Sequence, residues 1–268
     1  MSSLTKNRPA RQSFWKRPLA RRFLAHRLAV FGLAAISLLT LACLVVPLLL
    51  PFSDTQIDMT VRLVPPFADA MHSLGTDPMG RDTLARLLMA GRISLSIGFS
   101  AMLVSMVFGV FVGLVAGYSG GVVGAALMRF VDAMLCFPSI FLILAISALT
   151  SPTIPGIVLL IAATSWMEVA RVVEAQTRSL KTRDYAVAAQ AYGAKPSRGM
   201  LRAILPNAVA AIIGAATLNV ANAILAESYI SFLGFGIQPP TPSWGNMLNN
   251  AQTYLTSAPW LAIVPGFA

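Results

Sequence analysis

Long apolar stretches separated by short polar ones make up most of this chain, and their length carries more information than their periodicity. A segment needs ~20 mostly apolar residues to cross a hydrocarbon core of roughly 30 Å. Five runs approach or exceed that length: Leu28 to Leu50, Ile93 to Gly117, Val122 to Leu149, about Ile157 to Val173, and Ala208 to Leu233. The first two hold no charge; the third holds Arg129 and Asp132, the fourth Glu168 and Arg171, and the fifth Glu227. A sixth run opens at Pro259 and stops at Ala268, and ten helical residues reach only ~15 Å. The expectation is an all-α integral membrane protein of six transmembrane helices, five complete and the sixth truncated.

Charge placement orients these helices, because Lys and Arg collect on the cytoplasmic side of a membrane protein. Residues 1–27 hold eight of the twenty basic residues and no acid, and Arg171 to Pro206 holds seven against Glu174 and Asp184. Between the first two runs, four Arg are balanced by five Asp. The reading is therefore a basic cytoplasmic segment over 1–27, a first span over 28–50, an extracytoplasmic loop over 51–92, and a core over 93–268. That core carries a cytoplasmic loop at about 174–206, and both termini face the cytoplasm. Phe14, Trp15, Leu19 and Phe23 alternate with Lys16, Arg17, Arg21 and Arg22 at helical spacing. That pattern suits a helix lying in the headgroup plane, with a disordered basic tail as the alternative. Gly109, Gly113 and Gly117, four apart, give the second run a smooth face for close helix packing.

Composition agrees with the bilayer, at 56% apolar and 11% charged residues with a mean hydropathy of +0.72, values wrong for a water-facing surface. The formal charge of +10 does not point to nucleic acid, since the basic residues cluster only where a membrane protein's inner face carries them. Cys43 and Cys136 lie inside apolar runs, which suits packing and not a disulfide framework. The first run, with 23 residues, exceeds a signal-peptide core and reads as a retained helix. His26 and His72 lack partners at ligand spacing, so no metal site is expected. Nor is there a G-x-x-x-x-G-K-[ST] sequence to cradle phosphates.

The most informative stretch is RDYAVAAQAYGAKPSRGMLRAILPNAV, Arg183 to Val209. Tyr185, Ala188, Ala189 and Tyr192 fall at i, i+3, i+4 and i+7, which predicts a short helix with one weakly apolar face. Gly193 suits the left-handed turn after a helix, and Pro196 the first position of the next. On the second helix Met200, Leu201, Ile204 and Leu205 form an apolar face, Arg198 and Arg202 stack one turn apart, and Pro206 is expected to end it. A basic amphipathic hairpin of this kind fits a partner with an apolar groove and an acidic rim.

This stretch resembles the EAA loop of bacterial ABC importer permeases, in which Glu-Ala-Ala is followed by three residues, Gly, a spacer, and a hydrophobic residue before Leu-Pro. Ala188, Ala189, Gly193, Ile204, Leu205 and Pro206 match that pattern, whereas Val187 stands in place of the usual Glu. LGTDPMGRDTLARLLMAGRISLSIG from Leu74, VDAMLCFPS from Val131 and AESYISFLGFGIQPPTPSWGNML from Ala226 are similar to the second permease subunit of the dipeptide, oligopeptide and nickel importers. The resemblance implies the type I importer permease fold and a non-catalytic chain. It also implies a homologous permease as partner in a heterodimeric pore, two ABC ATPases that bind ATP and Mg, and an extracytoplasmic substrate-binding protein. This chain itself then needs no cofactor. The ATPase-coupling residues are Tyr185, Val187, Ala188, Ala189, Gly193, Arg198, Arg202, Leu205 and Pro206. The substrate is a di- or oligopeptide or a nickel chelate, and the contrasting reading is an ion-coupled secondary carrier.

Other marked residues keep two readings. Glu227 either borders the translocation path or bonds a neighbouring helix, with Asn219 and Asn222 on the same helix. Asp132 either borders that path or pairs with Arg129, three residues away. Glu168 and Glu174 are solvated or pair with Arg171 and Arg178. The turn-rich segment at Asp77 and Arg81, together with Trp244, either docks the binding protein or forms a folded cap. Trp166, Tyr229, Trp244 and Trp260 suit interface anchoring.

Overall fold

The computed structural model describes residues 24–150 and 153–268. The proposed headgroup-plane helix at Phe14 to Phe23 lies outside these residues. Ten α-helical segments are seen among those described. They are α1 (Arg27–Leu49), α2 (Thr83–Ser119), α3 (Gly121–Leu135), α4 (Ser139–Thr150), α5 (Ile154–Lys181), α6 (Asp184–Ala191), α7 (Pro196–Arg198), α8 (Leu205–Phe232), α9 (Trp244–Ala251) and α10 (Trp260–Gly266). Among the described residues, four helices are long and apolar enough to cross a membrane, five if α3 and α4 count as one bent span.

The central element is α2. Its 37 residues at 1.5 Å each extend about 55 Å, past both ends of the apolar run that predicted it. Asp82 caps its start, accepting from Ala85 N–H at 2.7 Å, which satisfies an otherwise orphan donor of the first turn. α5 lies parallel to α2 and touches it at three glycines. An added Cβ at Gly109, Gly113 or Gly117 would stand 2.6 Å from Trp166 O, 2.6 Å from Ala170 O, or 2.7 Å from Thr177 Cβ. The four-residue glycine spacing thus lets two helices approach backbone to side chain within this one chain. α8 runs antiparallel to α2 and packs on both. Most apolar side chains of α1, among them Phe31, Leu38 and Leu48, are exposed. These suit lipid or a partner helix, since a helix apolar all round is stable only out of water.

Two expectations need correction. Val122 to Leu149 is not one straight helix; α3 and α4 meet at a 70° bend. Pro138 sits at the break, and it both lacks an N–H and disfavours α geometry in the residue before it. Pro206 does not end a helix either: the chain stays helical from Pro196 to Phe232. Gly199–Ile204 is a π-helical turn, and Pro206 falls in the first positions of α8. Leu205 N–H bonds Met200 O, and the Asn207 amide donates to Ala203 O at 2.7 Å. The wider turn accommodates proline where an ordinary α-helical ladder would lose a bond.

Candidate coupling site

The hairpin stands at the C-terminal end of α2, opposite a cap built from residues 51–82 and 234–259. α6 closes in the left-handed turn expected at Gly193, with φ +75. Ala194 N–H reaches Ala189 O at 3.0 Å and Gly193 N–H reaches Gln190 O at 2.9 Å. These paired bonds complete the helix end, and glycine adopts the positive φ without the steric penalty of a Cβ.

The inward anchors of the hairpin are Ala186 and Ile204, buried in one cluster with Leu114, Val173, Leu180 and Ala208. The predicted Tyr185–Tyr192 face exists but turns outward: Tyr185 and Val187 are exposed, and Tyr192 is 93% exposed. Ala188 is exposed as well and Ala189 half-buried. The second apolar face splits. Ile204 points in and Leu201 points out, beside exposed Arg198 and Arg202, while Leu205 is half-buried and Pro206 exposed. Among the described residues, neither arginine has an ion pair. The free surface is therefore aromatic, aliphatic and cationic together.

Three further residues brace the hairpin. Lys181 Nζ donates to Tyr118 O at 2.5 Å and lies 5.2 Å from the centre of the Tyr118 ring. A Cβ at Gly199 would stand 2.4 Å from Tyr118 Oη. Sequence reasoning passed over Tyr118, Lys181 and Gly199. The aromatic residue just before Gly120–Gly121, where run two ends, was the available signal.

Between the helices Glu227 is fully enclosed. Ser94 and Ser231 hydroxyls each donate to its carboxylate at 2.7 Å, joining α2 to α8. One turn pair further on, Ser105 donates to Asn219 Oδ1 at 3.2 Å, and the Asn219 amide donates to Ser165 O at 3.4 Å. This geometry matches the structural reading of Glu227. Asp132 does not pair with Arg129. Its partner is Arg171, at 2.6 Å across α3 and α5, because the fold brings that guanidinium closer than the i−3 neighbour. Glu174 pairs with Arg178 at 2.5 Å as anticipated.

At the cap end Asp77, Arg81 and Trp244 are buried, as the folded-cap reading anticipated. Asp77 accepts from Arg81 Nε at 2.6 Å, and Trp244 Nε1 donates to Leu87 O at 3.3 Å, with its ring against Gly91. The expected interface-anchoring role of Trp244 is therefore replaced by packing against α2. His72 Nδ1 meets Asp82 at 2.9 Å. Asp58 accepts from the Thr60 hydroxyl at 2.6 Å and the Thr60 N–H at 2.9 Å, bonds that hold its carboxyl below the usual carboxylate range. No group of three or more His, Cys, Asp or Glu that could hold a metal occurs among the described residues.

Long apolar spans bearing one braced, outward-facing hairpin define a polytopic membrane protein. The chain belongs to the family described as binding-protein-dependent transport system inner membrane component, whose model matches residues 109–268. Residues 13–66 match the N-terminal TM domain of oligopeptide transport permease C. The chain is 38% identical to the dipeptide transport system permease protein DppC of Alkalihalophilus pseudofirmus, over 91% of this chain and 79% of that one. Identity to DppC of Haemophilus influenzae is 36%, over 95% and 86%. Identity to the oligopeptide transport system permease protein OppC of the same organism is 34%, over 96% and 82%. It is thus a DppC/OppC-like, multi-pass, non-catalytic permease subunit of an ABC importer. Family membership lends the ion-coupled carrier no support.

Proposed function

We propose that this chain forms half of a heterodimeric pore for short peptides and is driven by ATP-binding subunits that grip the hairpin at Gly193. The peptide assignment draws on the names of its relatives, which speak of dipeptides and oligopeptides; a nickel chelate has no such support. A homologous permease completes the pore, two ABC ATPases bind ATP and Mg below, and an extracytoplasmic binding protein delivers substrate at the cap. The fold is read as the type I importer permease, with the N-terminal side of α1 in the cytoplasm. Arg27, at the start of α1, lies at the end away from the cap, consistent with the positive-inside rule.

The carrying observation is Tyr192. An aromatic side chain 93% exposed, at the apex of a hairpin whose base is locked to the core, is best explained as an anchor for a partner. Tyr185, Val187 and Leu201 extend its apolar contact, and Arg198 and Arg202 supply the charge. Where most relatives of the EAA type present Glu, Val187 presents an apolar surface. The paired reversal Arg198→Glu and Arg202→Glu should reduce ATPase co-purification with the permease and abolish substrate-stimulated hydrolysis. Unchanged co-purification and stimulation would refute docking at this hairpin.

A further inference from the structure

The cap encloses a cavity of about 300 Å³ between the start of α2 and the segment that begins with α9. Its charged wall is unbalanced. Arg81 and Arg86 are 9% and 3% exposed, and both rely on one carboxylate oxygen: Asp77 Oδ2 lies 2.6 Å from Arg81 Nε and 3.7 Å from Arg86 Nε. The other oxygen of Asp77 is occupied by the N–H groups of Met79 and Arg81. Asp82, the next acid along, is engaged with His72 and the cap of α2.

Arg86 is left poorly matched. A guanidinium carries five donors, and among the described residues it makes one hydrogen bond, to Asp54 O at 3.1 Å. Thr83 lines the same cavity, is 1% exposed, and its hydroxyl has no hydrogen-bond partner. A buried cation with idle donors beside an idle hydroxyl is unfavourable unless an anion completes it.

We propose that this cavity is an anion site that accepts a carboxylate from outside the chain, with Arg86 and Thr83 as its donors. On the cavity wall two arginines face one acid, Asp77, with Asp54 also near Arg86, and the two oxygens of a carboxylate fit the planar fork of a guanidinium. A phosphate dianion would overcompensate the charge of this wall beside Asp77. The remaining wall is mixed, with Met247 and Leu261 beside Asn249, Asn250 and Thr253, which suits a short stem that is both apolar and hydrogen-bonding, such as a peptide backbone. The carboxylate is either free, as at a peptide C-terminus, or at the tip of an acidic side chain on the docked binding protein. The second source rests on the proposed function; the first does not.

Thermal unfolding of the assembled transporter in lipid nanodiscs, at constant ionic strength and without binding protein, tests the free source. Acetate and glycylglycine should raise the melting temperature, glycylglycinamide should not, and Arg86→Gln should remove the response. For the docked source, acetate raises the melting temperature as well, since a competitor must occupy the site, and in addition weakens binding-protein association about tenfold, as does Arg86→Gln alone; for the free source association is unchanged. Thr83→Asp adds a carboxylate three residues before Arg86. It should raise the melting temperature and abolish whichever acetate response the wild type shows. The proposal is overturned if acetate changes neither readout in the wild type, or if Thr83→Asp lowers the melting temperature. Loss of binding-protein association from the wild type itself would count against the proposed function and leave the acetate melt to decide the site.

Discussion

Replacing Gly113 by alanine should weaken the protein, although alanine is the better helix former. A Cβ at this position would stand 2.6 Å from Ala170 O, 2.7 Å from Val173 Cβ and 3.0 Å from Glu174 N. Two of these are backbone atoms, which no rotamer change can move. Restoring ordinary contact near 3.5 Å would displace α5 by about 1 Å along much of the interface, and such overpacking costs about 1–3 kcal/mol. Alanine recovers roughly 0.5–1 kcal/mol of backbone entropy, so a net loss on the order of 1–2 kcal/mol is expected. Gly32 provides the control, since nothing lies within 4 Å of its added Cβ, and Gly32→Ala should be neutral or slightly stabilising. Gly109→Ala and Gly117→Ala should resemble Gly113→Ala. The triple variant should lose less than the sum, because one displacement relieves all three contacts. Thermal melts of the purified subunits in detergent measure each. A Gly113→Ala melting temperature equal to or above wild type would refute the packing argument.

Three smaller perturbations separate structural from functional roles. Glu227→Ala leaves two buried serine hydroxyls without their acceptor and should cost about 1–3 kcal/mol, whereas Glu227→Gln retains an oxygen acceptor and should cost less; equal melting of the two variants would contradict this. Asp132→Asn breaks an ion pair whose side chains are 38% and 58% exposed. It should cost under ~1 kcal/mol and spare transport; a severe transport defect would instead place Asp132 on the path. Gly193→Ala meets no clash but must hold φ +75, at roughly 1 kcal/mol. The bilayer core should melt normally while substrate-stimulated ATP hydrolysis falls, and Gly193→Val should be worse on the second measure only.

The helices were legible because solvent sets their length, and the glycines because their spacing states a face. Gly193 was legible too, since its left-handed conformation is nearly a property of the residue. The misread features depend on information outside any short window. Asp132 sees Arg129 locally, but Arg171 is 39 residues away, and only the crossing of α3 with α5 brings it within reach. Pro138 stood inside a recognised motif, so its power to bend the span was overlooked. Pro206 usually means a stop, whereas the π-turn before it supplies the slack that lets the helix continue.

That continuity bears on how the hairpin can act. Its apex is exposed, yet its base is tied to α2, α5 and α8. Ala186 and Ile204 share a cluster with Leu114, Lys181 holds Tyr118 O, and Gly199 leaves no gap above the Tyr118 ring. From there the glycine contacts join α2 to α5, and the bonds of Glu227 and Asn219 join both to α8. Close-packed interiors have low compressibility and transmit displacement. A displacement of the apex is therefore passed to the three packed helices through these buried contacts. By contrast α1 rests mainly on α2, and the α3–α4 pair carries the 70° bend; relative motion is cheapest there. The division is mechanical: a stiff α2–α5–α8 core carrying the hairpin, flanked by spans that can shift against it.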